Sequence, residues 1–127
     1  MKNVHLPDST GSELQAEATL DGNTLELKLT GTADLRSCDQ LASIVDRIDA
    51  EATEHKCQEV VVNLVKLEFM NSSCFKTLVS WINRVQSRNP NDRHKICFRS
   101  SDDMLWQRRS LNVLRSFAPD LIEVTTG

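Results

Sequence analysis

The sequence predicts a single α/β domain: a mixed β-sheet, with an N-terminal antiparallel hairpin followed by parallel strands, packed with about three to four helices. Three observations carry this. The apolar residues change period from two to about 3.6 and back along the chain. A favoured tight turn, Asp21–Gly22, joins the first two alternating runs. A continuous β-branched run, Val60–Val61–Val62, stands between two helical stripes, as strands joined through helices require.

Residues 1–12 are polar and carry Pro7, Ser9, Thr10 and Gly11, which reads as a flexible arm ahead of one domain over residues 13–127. Leu14, Ala16, Ala18 and Leu20 alternate with Gln15, Glu17 and Thr19, the pattern of a half-buried strand. After the turn, Leu25, Leu27 and Leu29 alternate with Glu26 and Lys28, so the two runs form a hairpin with one wet face. Gly31 ends the second run. Leu41, Ile44, Val45 and Ile48 then fall at i, i+3, i+4 and i+7, an amphipathic helix reaching about His55.

The run from Glu59 to Met70 is almost continuously apolar at its start, which predicts a central strand covered on both faces or set well inside the sheet. Asn71–Ser72–Ser73 breaks it. Phe75, Leu78, Val79, Ile82 and Val85 give a second helical stripe, stopped by Asn89–Pro90–Asn91–Asp92. Trp81 lies off that stripe, which predicts partial exposure, with a place at an interface or packing against the adjacent helix or the chain's tail as the two readings. Lys95–Arg99 is a short strand, and Ser100–Asp103 a loop and cap. Trp106, Val113 and Phe117 are expected to line the inner face of a third helix, with Leu111 and Leu114 beside them, and Leu121–Val124 is a last strand.

The chain has 127 residues, 39% of them hydrophobic, enough for a core without metals or crosslinks. Its net charge of -3 speaks against a dominant nucleic-acid surface. The basic groups Arg93–His94–Lys95 and Arg108–Arg109 are short and read as solvated surface, His94 included. His5, in the arm, and His55, near a helix end, suggest no metal. Cys38, Cys57, Cys74 and Cys97 form no C-x-x-C pair and no zinc-ligand spacing, so reduced, mostly buried thiols are expected. No stretch has signal-peptide or membrane-span character. A cytoplasmic protein with no cofactor, no small-molecule substrate and no nucleic-acid or membrane partner is expected.

The most informative segment is Val61-Val62-Asn63-Leu64-Val65-Lys66-Leu67-Glu68-Phe69-Met70-Asn71-Ser72-Ser73-Cys74. A strand hands over to a helix there, and Asn71, Ser72 and Ser73 are all good N-cap residues. A hydroxyl at that helix start meets free N–H groups and the positive dipole end, and phosphorylation would add roughly -1.5 to -2 charge. On spacing alone, capping of the helix accounts for these serines, and phosphorylation is the second reading. Asp34 is a cap of the first helix or a partner contact.

This segment resembles the hallmark stretch of STAS domains of the anti-sigma-factor-antagonist type, a strand reading V-x-N/D-L-x-x-L-x-F/Y-M followed by D-S-S/T-G and a helix. Asn63, Leu64, Leu67, Phe69, Met70, Ser72 and Ser73 stand at matching places. Leu29-Thr30-Gly31-Thr32-Ala33-Asp34 is similar to the family's L-x-G-x-x-D. Asn71 replaces the usual aspartate and Cys74 the usual glycine. The resemblance implies a STAS-like fold and a bacterial protein-binding module. Ser72 would be its phosphoacceptor, with Ser73 the alternative. Asp34, Asn71, Ser73, Cys74 and Lys76 would be its partner-binding residues. It implies as partners a serine kinase that doubles as an anti-sigma-factor-like protein, and a PP2C-type phosphatase. Two other readings stand beside it. One is a STAS-like scaffold that is never phosphorylated. The other is a small enzyme with Ser72 or Cys74 as nucleophile, against which no G-x-S-x-G, phosphate loop or H-E-x-x-H occurs.

Overall fold

The computed structural model describes residues 2–4, 6 and 13–126. Strands β1 (Lys2–Val4), β2 (Leu14–Asp21), β3 (Thr24–Ala33), β4 (Glu59–Met70), β5 (Lys95–Ser100) and β6 (Ile122–Thr126) form one sheet in sequential order. Helices α1 (Cys38–Glu54), α2 (Ser72–Gln86) and α3 (Leu105–Phe117) connect the strands from β3 onward. β1, β2 and β3 pair antiparallel, and β3 through β6 pair parallel. The mixed sheet with an N-terminal hairpin and three α-helices is the architecture expected from the sequence. Within the stretch expected to be an arm, Lys2–Val4 instead forms an edge strand on β2; Met1, His5 and residues 7–12 lie outside the described residues.

Parallel crossovers are right-handed, and with neighbours taken in chain order each helix falls on the same face of the sheet. Burial parity agrees. Leu25, Leu27 and Leu29 of β3, Val60, Val62 and Leu64 of β4, and Ile96 and Phe98 of β5 are buried against Leu41, Ile44, Ile48, Leu78, Ile82, Leu111 and Leu114 of the helices. The other face is polar: Glu17 opposes Lys28, and Glu26 reaches Arg99 at 3.5 Å across the intervening strand. The central strand is therefore covered by helices on one face only. Of the two readings of its unbroken valine run the second holds: β4 sits well inside the sheet between β3 and β5, and Val61, on the open face, is only 7% exposed.

The hairpin turn places Gly22 and Asn23 between the paired residues Asp21 and Thr24. Gly22 takes φ +61°, and a left-handed first central residue fits the twist of the flanking strands. Gly31 does not end β3, which continues to Ala33.

α1 packs on α2 around a buried polar cluster. Asp49 of α1 accepts from Trp81 Nε1 of α2 at 3.2 Å and from Arg88 Nη1 at 3.0 Å, and the second Arg88 nitrogen pairs with its other oxygen. His94 lies beside them, its Nε2 3.7 Å from Asp49 Oδ1 and its ring centroid 6.2 Å from that of Trp81. Two sequence expectations are corrected here. Trp81 is fully buried rather than interfacial, because the indole N–H finds its carboxylate inside. His94 is 2% exposed rather than on the surface, because β5 begins under the α2 C-terminus.

Burial holds the His94 imidazole below its ordinary pKa, with Arg88 adding to the effect and Asp49 opposing it. The unfolded chain takes up that proton near pH 6.5, while the folded protein does so only at lower pH. Between those two points the unfolded state binds more protons. Stability is thus complete above about pH 6.5 and is lost as pH falls through it, by up to about 1.4 kcal/mol per pH unit spanned. Urea unfolding at pH 7 and pH 5.5 should show this loss, and His94→Phe should flatten it. An equal loss in the variant would assign the effect to other groups.

Candidate functional site

Because β3, β4 and β5 run parallel, their C-terminal ends share one rim of the sheet, and the loops into α1, α2 and α3 meet there. β3 leaves the sheet at Ala33, whose carbonyl accepts from Asn71 N–H at 2.7 Å. That bond ties the start of one βα loop to the start of the next.

Asp34 follows at once. Its carboxylate accepts from the Ser37 N–H at 3.1 Å and the Ser37 hydroxyl at 3.0 Å, capping the 3₁₀ turn Leu35–Ser37 that leads into α1. Arg36 adds a contact at 3.4 Å. The Ser37 hydrogen bond, aided by Arg36, holds the Asp34 carboxyl below the usual range. Asp34 is thus a cap.

Asn71 performs the same task for α2. Its backbone is extended, and its side-chain oxygen accepts from Ser73 N–H at 2.8 Å. An amide oxygen caps as well as a carboxylate does, so this site works without a charged side chain. Ser72, the first residue of α2, is exposed, and so are Ser73 and Lys76. Ser72 lies outside the capping bond, in the first turn of α2, where the leading backbone N–H groups have no acceptor within the helix.

Cys74 differs from its expected role. It is fully buried, pointing away from solvent, and is joined to Cys38 by a disulfide with the two Cα atoms 4.8 Å apart. A side chain in that position cannot touch a partner, and it adds no bulk at the surface. The expectation of four reduced thiols is corrected by the same bond; Cys57 and Cys97 are free and buried. The pairing was missed because the cysteines are 36 residues apart with no motif between them. The readable signal was positional: each opens the helix that follows one of two adjacent parallel strands.

Three large apolar side chains stand out of the core on these loops. Leu35 is 67% exposed, Phe69 48% and Leu105 62%. Leu35 opens the turn after β3, Phe69 lies next to the end of β4, and Leu105 opens α3 after β5, so all three belong to the ends of the parallel strands or to the segments that follow them. Sequence reasoning placed none of Leu35, Phe69 and Leu105 at the surface. The third helix also turns by about one residue from expectation: Gln107, Leu111 and Leu114 face inward, while Val113 and Phe117 are about half exposed.

Gln107 was missed entirely. β5 pairs with β4 only as far as Asn63, and the register of β3 against β4 slips twice beyond it. The fully buried Gln107 amide donates to the carbonyls of Leu64 at 2.6 Å and Leu67 at 2.9 Å, and accepts from Ser101 N–H at 2.8 Å. It holds the part of β4 that presents Phe69 and Asn71.

The described histidines lie elsewhere. His55 is within 3.2 Å of Glu51, and His94 belongs to the Asp49 cluster. A cleft of about 330 Å³, lined by Gln58, Pro90, Arg93, Lys95 and Asp120 among others, opens at the end where the parallel strands begin, opposite the Ser72 rim. Among the described residues, no helix is long and apolar enough to cross a membrane.

No family model matches the sequence, and no curated protein is significantly similar to it. Solved structures do match. One is the crystal structure of an anti-sigma factor antagonist from Mycobacterium paratuberculosis, superposing with a TM-score of 0.65 over 91% of this chain and 89% of that one at 13% identity. The chain has the fold of that antagonist.

Proposed function

We propose that the chain is a non-enzymatic cytoplasmic regulatory module that binds a protein partner through the Ser72 rim and is released by phosphorylation of Ser72. The partner is a serine kinase acting as an anti-sigma-like factor, and a PP2C-type phosphatase resets the module. The observation that carries the reading is the exposed Ser72 at the first residue of α2, on the same rim of the sheet as the exposed Leu35, Phe69 and Leu105. Apolar side chains supply contact area, and a phosphate set among them would desolvate badly against a docked protein. The helix N-terminus would tolerate the added charge within the folded module. The shared fold of the mycobacterial antagonist supports the same role. Asp34, Asn71, Ser73 and Lys76 contribute at the rim: Asp34 and Asn71 by fixing its loops, Ser73 and Lys76 as exposed contacts.

Incubation with ATP and a serine kinase of the anti-sigma-factor type, followed by intact mass, tests the proposal. One phosphate is expected on the wild type and on Ser73→Ala, and none on Ser72→Ala. Ser72→Asp should bind that kinase at least about tenfold more weakly, a loss of about 1.4 kcal/mol, with unchanged circular dichroism and melting. Phosphate retained on Ser72→Ala would reject the acceptor. An unmodified wild type that still binds would favour the phosphorylation-free scaffold.

A further inference from the structure

We propose that Cys38 and Cys74 form a reversible thiol–disulfide couple, a modification site that sets how firmly the starts of α1 and α2 are held together beside Ser72. The inference holds whether or not Ser72 accepts phosphate.

The pair has the placement such a couple needs. Cys38 opens α1 and Cys74 lies in the first turn of α2, so the two sulfurs meet where the two helices start. Cys38 is partly exposed and Cys74 fully buried, so a small oxidant or reductant can reach one sulfur while the other waits behind it. The site also suits the reduced state. The sulfurs of Cys38 and Cys74 lie 3.5 and 3.3 Å from the same Asp34 carbonyl oxygen, which can accept from a thiol once the bond opens. Neither state leaves a buried polar group stranded. The other two cysteines contrast with them. Cys57 and Cys97 are single, and burial pushes both thiols above their ordinary pKa.

Oxidation by a hydroperoxide balances. The Cys38 thiolate attacks the peroxide, the O–O bond breaks, and an alcohol or water leaves, giving a sulfenic acid. The Cys74 sulfur then attacks Cys38; the S–O bond breaks, the S–S bond forms and water leaves. The two thiols have lost two electrons and the hydroperoxide has gained them. A dithiol returns both electrons by exchange and becomes a disulfide itself.

The bond joins the first residue of α1, directly after the Asp34–Ser37 turn, to the first turn of α2, which Ser72 opens. Opening it replaces the covalent tie by the Asn71–Ala33 bond and the weak Cys74 thiol contact to the Asp34 carbonyl.

The test uses the wild-type protein under native conditions. Samples are equilibrated across graded ratios of reduced to oxidised dithiothreitol, quenched with acid, alkylated after denaturation and mapped by peptide mass spectrometry. Alkylation of the Cys38 and Cys74 peptides should rise together by at least about tenfold across the series while the fold persists, and hydrogen peroxide should reverse it. Backbone hydrogen exchange at residues 34–38 and 71–75 should be at least about tenfold faster in the reduced form, with α3 unchanged. A bond that opens only after denaturant is added would make it a permanent staple and overturn the proposal. Thiols that persist under hydrogen peroxide would overturn it too, as would equal exchange at the rim in both forms.

Discussion

Gly31→Ala is expected to destabilise the domain by more than about 3 kcal/mol, against about 1 kcal/mol for Gly22→Ala. Both glycines occupy left-handed backbone, with φ +91° and +61°. Both therefore impose the strain of an L-residue with positive φ, of order 1–2 kcal/mol. They differ in space. A Cβ on Gly22 meets nothing within 4 Å, whereas on Gly31 it would stand 2.1 Å from the Glu13 carbonyl oxygen. That oxygen is backbone and accepts from Thr32 N–H at 3.3 Å, so it can retreat only by breaking the end of the β2–β3 ladder. The damage falls two residues from the Asn71–Ala33 bond that ties the rim together. Urea denaturation of the two variants measures the difference as a shift of midpoint at constant slope. Equal shifts would show that the ladder end yields freely and that only φ matters.

Much of this architecture was legible because its elements carry strong periodicity. The Leu14–Leu20 and Leu25–Leu29 alternations match β2 and β3, and the Leu41–Ile48 stripe is the buried face of α1. What failed did so where polar side chains take core positions. The inner face of α3 carries Gln107 beside Leu111 and Leu114, so a purely apolar stripe drew the axis through Val113 and Phe117 instead. Trp81 and His94 were misplaced for the same reason: each is buried beside Asp49, a residue that hydropathy assigns to water.

At the rim, legibility followed sequence distance. Asn71 and Asp34 bond to residues two and three positions away, so cap chemistry could be read locally. The Cys38–Cys74 bond, the Asn71–Ala33 bond and the Gln107 bridges span 36 or more residues and exist only once the parallel register is set.

Gln107→Leu tests how far the rim depends on one of those long bridges, and an expected loss of about 3–5 kcal/mol makes it a second large effect. Leucine is close in volume and removes neither carbonyl. It leaves the Leu64 and Leu67 oxygens and the Ser101 N–H without the amide that now bonds all three. An unsatisfied buried group costs about 1–3 kcal/mol, and the apolar gain of leucine offsets only part of the sum. Arg108→Ala, one residue along, removes an exposed contact to Asp102 at 3.6 Å and should shift stability by less than about 0.5 kcal/mol. The loss at Gln107 should also be local before it is global. β4 beyond Asn63 has β3 on one side and no β5 pairing on the other, so freeing its carbonyls loosens the stretch that ends in Phe69, Met70 and Asn71. Hydrogen exchange in Gln107→Leu should therefore accelerate first at residues 64–71, while the hairpin Leu14–Leu29 keeps its protection. If the variant unfolds at the wild-type midpoint, water must reach those carbonyls, and the end of β4 stands without help from α3.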